Sequence, residues 1–95
     1  LSAAAERGDE ATVRRLLENG SNIELRDRFN GRTPLSYAAR NGQKAVVELL
    51  LAHSAEIETK DNWNDQTPLS LAAENGHVGV VQELLDHGAD IKTKD

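Results

Sequence analysis

The chain has 95 residues, no cysteine, one Phe, one Tyr and one Trp, and its formal net charge is −5. This length suits one small domain or about three short repeats, and so few aromatics argue against a single large aromatic core. Without cysteine there is no disulfide framework and no thiolate metal site. The acidic balance argues against nucleic acids, whose phosphates require a basic face, and against an anionic membrane surface.

One tract recurs along the chain at a spacing of 34 residues. Residues 33–42 read TPLSYAARNG, residues 67–76 read TPLSLAAENG, and residues 1–8 hold a shortened copy. Self-similarity at such a period is typical of a stacked solenoid. We predict a single domain over 1–95, with repeat one at 1–27 (truncated at its start), repeat two at 28–61 and repeat three at 62–95. The chain begins inside a repeat and without Met, so we expect it to be a fragment.

Each full repeat predicts a turn, a short helix, a second turn, a second helix and a loop. Thr33 and Thr67 are good N-caps, because a threonine hydroxyl accepts from the free N–H groups of the first helical turn. The proline that follows each threonine suits the first helical position. We expect the first helix of repeat two to end near Arg40, where Asn-Gly supplies a left-handed terminus.

The second helix of each repeat is predicted from apolar residues at helical spacing. Its bounds are about Lys44 to Ala52 in repeat two and about Val78 to His87 in repeat three. Glycine closes this helix in repeats one and three, and Ser54 is a poorer terminator in repeat two. The next loop holds an isoleucine that we expect to be buried in every repeat: Ile23, Ile57 and Ile91. It leads to a polar tip that resembles a short hairpin, with marginal strand content.

These residues resemble ankyrin repeats. The match in repeat two is Gly31-Arg32-Thr33-Pro34-Leu35, Ala38-Ala39, Asn41-Gly42, Val46-Val47, Leu49-Leu50-Leu51, Ala55 and Ile57, and repeat three gives the same series in register. The resemblance covers the whole chain. The Thr-Pro-Leu-Ser and Ile-Glu-Thr-Lys-Asp motifs of the chain are similar to those of long ankyrin arrays in fungal signalling proteins. The resemblance implies an all-α solenoid of about three helix-turn-helix units with hairpin-like fingers.

The chain departs from the family pattern at two positions. Ser2, Ser36 and Ser70 stand where the family often has a histidine that ties neighbouring repeats, a role that serine fills only partly. Glu24, Glu58 and Lys92 replace the loop asparagine that is the family's hydroxylation target, so we do not expect this modification.

The resemblance further implies a non-catalytic binding module whose partner lies in a concave groove lined by fingers and first helices. The residues that we expect to contact a protein partner are Arg28, Phe29, Arg32, Arg40, Asn41, Asn62, Trp63, Gln66, Glu74 and Asn75. Aromatic residues and Arg are the usual anchors of interfaces. Arg28 and Arg32 have no evident opposite charge, and together with Arg40 they make repeat two the one locally basic patch.

Two features of the groove have alternative interpretations. Phe29 and Trp63, one period apart, either bind a partner or pack on the neighbouring finger. Arg40 either anchors an acidic partner or pairs with Glu6 and Glu74, its equivalents in the other repeats, and we favour this inter-repeat charge ladder.

Asp27, Asp61 and Asp95 recur at the finger base, where a carboxylate can accept from backbone N–H groups of the turn.

No arrangement of residues predicts catalysis, a metal or a cofactor. His53, His77 and His87 lack the i, i+4 spacing of helix-borne ligands, and no Gly-rich loop suits phosphate. The alternative to partner binding is a structural spacer or a self-associating segment of a longer repeat array, with end-to-end association through uncapped repeats. We expect an intracellular location, cytoplasmic or nuclear, with which the lack of cysteine is compatible.

Overall fold

Six α-helices form the part of the chain that the computed structural model describes, residues 1–90. They are α1 (Ser2–Arg7), α2 (Glu10–Glu18), α3 (Pro34–Arg40), α4 (Lys44–Ala52), α5 (Pro68–Glu74) and α6 (Val78–Asp86). Residues 1–90 contain no strand. The predicted all-α architecture of paired helices is confirmed, and the predicted helix bounds agree to within one residue.

The helices form two rows. α3 packs between α1 and α5, α4 packs between α2 and α6, and the two helices of each repeat also pack on each other. Each pair is joined by a tight turn whose glycine has a positive φ: Gly8 at 78°, Gly42 at 73° and Gly76 at 74°. Because side chains other than glycine rarely adopt this conformation, the Asn-Gly and Arg-Gly turns fix where the chain reverses.

The helix starts follow from the Thr-Pro pairs. The hydroxyl of Thr33 accepts from the N–H of Ser36 at 3.2 Å, and Thr67 accepts from Ser70 in the same way. Ser70 returns the contact, because its hydroxyl oxygen accepts from the N–H of Thr67 at 2.9 Å. The serines therefore bond within their own repeats, and other residues tie one repeat to the next.

Small side chains let the first helices lie close together. Ala5, Ala38, Ala39 and Ala72 are fully buried between α1, α3 and α5. The larger core residues continue in a row through the second helices: Val13, Val46, Val47, Leu50, Val80 and Leu84. The expectation that the loop isoleucines are buried was wrong. Ile23 and Ile57 are half-buried, because they pack against the core from outside it. Ile91 lies outside the described residues.

Ser54 takes the left-handed conformation that glycine takes in the other repeats. Its φ is 68°, against 86° for Gly20 and 94° for Gly88. A side chain in this region costs of order 1 kcal/mol, so Ser54 ends α4 at an energetic cost. The helix nevertheless ends where the period requires.

Glutamates tie the loops of successive repeats. A carboxylate oxygen of Glu24 accepts from the N–H of Glu56 at 2.7 Å, and Glu58 accepts from the N–H of Asp90 at 2.6 Å. The two bonds are equivalent, since both donor and acceptor move by one period. Glu24 and Glu58, which stand where the resemblance places an asparagine, thus serve as inter-repeat acceptors.

Near the turn between its two helices, repeat two is joined to repeat one by two hydrogen bonds to a single carbonyl oxygen. The side-chain amides of Asn41 and Gln43 both donate to the carbonyl oxygen of Glu6, each at 3.1 Å. This carbonyl belongs to the last turn of α1, where helical carbonyls lack partners within the helix. Repeat two therefore caps the first helix of repeat one.

Candidate partner-binding groove

The two fingers, residues 27–32 and 61–66, are tight turns organised by an aspartate. The N–H of Asp27 donates to the carbonyl of Arg32 at 2.9 Å, and Asp61 donates to Gln66 at 3.0 Å. The Asp27 carboxylate accepts from the N–H of Phe29 at 2.7 Å. The Asp61 carboxylate accepts from Trp63 at 3.0 Å and from Gln66 at 2.9 Å. The predicted structural role of these aspartates is confirmed, and Asp95 lies outside the described residues.

A tyrosine holds finger 27–32 against α3. The Tyr37 hydroxyl donates to a carboxylate oxygen of Asp27 at 2.7 Å, and the Asn30 side-chain amide donates to the Tyr37 oxygen at 3.1 Å. The hydrogen bonds from Tyr37 and from the N–H of Phe29 lower the pKa of Asp27 below its ordinary value. Burial, and then the bond to Asp27, raise the pKa of Tyr37. The base of this finger is therefore fixed relative to the helix that it faces.

Arg32 is not a free cation, and the expectation that it lacks an opposite charge was wrong. Its Nε donates to a carboxylate oxygen of Asp61 at 3.0 Å, and both side chains are buried. The guanidinium carbon also lies 5.3 Å from the centroid of the Trp63 ring. Arg32 therefore joins one finger to the next. The partner was missed because it lies 29 residues away in the sequence, at the start of the next finger.

The two aromatic residues differ in environment. Phe29 is 85% exposed and Trp63 is 56% exposed. Trp63 covers Arg32 of the preceding finger, so it combines packing with an exposed surface. Phe29 projects from the finger tip beside Arg28, which is also exposed.

The charge ladder favoured for the first helices does not form within residues 1–90. Arg40 makes no ion pair there, and its guanidinium donates only to the Asn41 side-chain oxygen at 3.4 Å. Glu74 instead accepts from the Gln66 side-chain amide at 2.7 Å. The carboxylate of Glu74 is therefore engaged by Gln66, and the guanidinium of Arg40 by Asn41, instead of by each other.

The predicted asparagines hold the scaffold. Asn41 binds the Glu6 carbonyl, and the Asn75 side-chain amide donates to the carbonyl of Leu71 at 2.8 Å. The N–H of Asn62 donates to the carbonyl of Asn30 at 2.7 Å, and its side chain lies so close to Gly31 that a Cβ there would overlap it. Four of the predicted side chains make no hydrogen bond within the described residues: Arg28, Phe29, Asn62 and Trp63. Arg40 makes one long bond to Asn41, and Glu74 accepts from Gln66.

Other site classes find no support in the described part of the chain. Within residues 1–90 no group of three or more His, Asp or Glu side chains is placed to hold a metal ion. His77 packs over Gly42 of the preceding repeat, and a ring nitrogen of His87 lies 3.0 Å from the Glu83 carbonyl oxygen. None of the helices in this part is long and apolar enough to cross a membrane.

Comparison with known proteins supports the resemblance stated above. The family model described as "Ankyrin repeats (3 copies)" matches residues 1–95. No curated protein matches the chain. The narrower similarity to fungal signalling arrays, and the three repeat boundaries, stay predictions.

The buried pair gives a prediction about stability. Arg32→Ala leaves the Asp61 carboxylate buried without its cation, a change that typically costs about 3–5 kcal/mol. Arg28→Ala, which removes the same side chain from an exposed position, is expected to change stability by under about 0.5 kcal/mol. Urea unfolding followed by circular dichroism measures both. Equal costs for the two variants would show that Arg32 is not a structural tie.

The bond between Tyr37 and Asp27 gives a prediction about pH. In Tyr37→Phe the pKa of Asp27 rises toward its ordinary value of 3.8, because the strongest donor to the carboxylate is removed. A lowered pKa in the folded state stabilises the protein above the unfolded-state pKa, and this contribution is lost as the pH falls through the folded-state value. Acid titration should therefore destabilise the wild type more than the variant.

Carboxyl NMR titration of the folded protein tests this directly. Asp9 is the internal control, because its own pKa is lowered chiefly by the Thr12 hydroxyl and should not respond to the change at Tyr37. An Asp27 pKa that stays unchanged in Tyr37→Phe would contradict the assignment.

Proposed function

Because the chain belongs to the ankyrin repeat family, whose repeats are generally protein–protein interaction modules, we propose that it is a non-catalytic module that binds a protein partner. The proposed site is the groove formed by fingers 27–32 and 61–66 and by the first helices. The observation that carries the proposal is the exposed pair of aromatics, Phe29 and Trp63, on fingers whose bases are fixed by hydrogen bonds.

Energetics favours these residues as anchors. Burying an exposed Phe side chain contributes about 1.5–3 kcal/mol, and aromatic and Arg side chains dominate the binding energy of many interfaces. Fixed fingers lose little conformational entropy on binding, which leaves more of this energy for affinity. Arg28 next to Phe29 adds a cation that the described residues leave unpaired.

Charge and composition support a proposal for the kind of partner and for its location. The net charge of −5 favours a protein over nucleic acid or an anionic membrane. We further propose that the protein acts in the cytoplasm or nucleus, with which its lack of cysteine is compatible.

Alanine substitution at the fingers tests the site once a partner is identified. Phe29→Ala and Trp63→Ala should each raise Kd at least about tenfold, equivalent to about 1.4 kcal/mol, as measured by isothermal titration calorimetry. Val78→Ala is the matched control, since Val78 is 78% exposed but lies on α6. If Val78→Ala weakens binding and the finger variants do not, the groove is the wrong surface.

A second candidate function, stacking of further repeats or of another copy, rests on the outer face of repeat three. Ala39 is buried under α5, whereas the equivalent Ala73 is exposed. A Cβ on Gly42 would meet His77, whereas one on Gly76 would meet nothing within 4 Å among the described residues. Within residues 1–90, the face that accepts the next repeat in repeats one and two is thus open in repeat three.

Sedimentation velocity distinguishes this candidate from a monomeric binding module. If the open face mediates association, the sedimentation coefficient should rise with concentration, and Ala73→Asp should abolish the rise by placing a charge on the stacking surface. Glu48→Asp, on the exposed side of α4, serves as control. A protein that sediments as a monomer at every concentration excludes self-association through this face.

A further inference from the structure

The polar groups of repeats two and three are satisfied differently. In repeat three the side chain of Gln66, at the base of the finger, donates to Glu74 at the end of α5. The equivalent residues of repeat two are Arg32 and Arg40, two cations that cannot pair with each other. Arg32 instead binds Asp61 of the next finger. Arg40 is left half-buried with one long hydrogen bond to Asn41.

Arg40 stands between two carboxylates on the groove floor. Glu6, Arg40 and Glu74 occupy the same position in three successive first helices, so the order of charge along the floor is negative, positive, negative. None of the three pairs with another within residues 1–90, and one oxygen of Glu74 accepts from Gln66. The helices lie side by side at about 8–10 Å, which sets the spacing of the charges.

From this order we infer that the groove takes a peptide segment in which an acidic side chain lies between two basic side chains, each about 10 Å away. The inference rests on the proposed function and specifies its partner. The acidic group binds Arg40, and the basic groups lie against Glu6 and Glu74. In an extended segment this distance is about three residues, and in a helix it is about seven.

The flanking cations follow from electrostatics. A carboxylate can bind an Arg guanidinium through two parallel hydrogen bonds, and a half-buried pair is screened less than one on the open surface. The same carboxylate is repelled by Glu6 and Glu74 unless the partner neutralises them. The groove therefore discriminates against uniformly acidic segments as well as basic ones, since specificity depends on repulsion of the wrong ligand as well as attraction of the right one.

Selection from a library of random linear peptides displayed on phage tests the inference without a known partner. The 95-residue chain should enrich peptides with an acidic residue flanked by basic residues at spacings of three or seven. The Arg40→Glu variant should enrich peptides with a basic residue at the centre. Arg15→Glu, the same reversal on an exposed residue of α2, should enrich the same peptides as the wild type.

A synthetic copy of one enriched peptide provides the quantitative measurement. Its Kd should rise at least tenfold with Arg40→Gln and should not change with Arg15→Gln. Its affinity should fall as salt is raised, because part of the binding energy is coulombic. Arg40→Gln also replaces Arg40→Glu if circular dichroism shows that the charge reversal disturbs folding.

The outcomes separate this inference from the proposed function. Peptides that lose affinity with Phe29→Ala and Trp63→Ala but show no charge order, or do not respond to Arg40, overturn the inference and leave groove binding intact. Peptides that respond to none of these substitutions overturn both. A selection that enriches no peptide from the library also contradicts the inference.

Discussion

A repeat of this chain cannot bury its own apolar surface, and the rest of the structure depends on that constraint. α3 is seven residues long, far below the length at which an isolated helix is stable in water, so it persists only between α1 and α5. Ala39 shows the dependence, because it is buried where a neighbour follows, whereas the equivalent Ala73 is exposed. Stability therefore resides in the junctions between repeats.

Neighbouring parts of the array are joined by different contacts at the fingers and in the loops. At the fingers, a buried ion pair joins Arg32 to Asp61. In the loops, Glu24 and Glu58 accept from backbone N–H groups of the next repeat. These contacts fix the fingers and first helices relative to one another, so the exposed side chains of the proposed groove are held by a rigid support. The available cations at that surface, Arg28 and Arg40, are those that the junctions do not use.

The fold was predictable because its signals are local and repeated. Thr33, Pro34 and Gly42 mark helix ends through their own backbone chemistry, and the same marks recur after one period. The candidate site was predictable only in part, because its contacts join residues whose proximity the sequence pattern does not show. Arg32 was expected to be free because its partner, Asp61, lies 29 residues away at the start of the next finger. Arg40 was expected to pair with Glu6 and Glu74, but residue equivalence does not reveal competing partners, and Glu74 binds Gln66 while Arg40 binds Asn41.

The hydrogen bonds to Glu6 have a consequence for how such a surface can evolve. Asn41 and Gln43 bind its carbonyl oxygen, which every amino acid provides, so the junction does not depend on the side chain at position 6. Substitution there can alter the recognition chemistry of the groove while the stacking contact is inherited unchanged. The junction and the recognition surface thus use different atoms of Glu6, so the groove can change at this position while the contact between repeats one and two is kept.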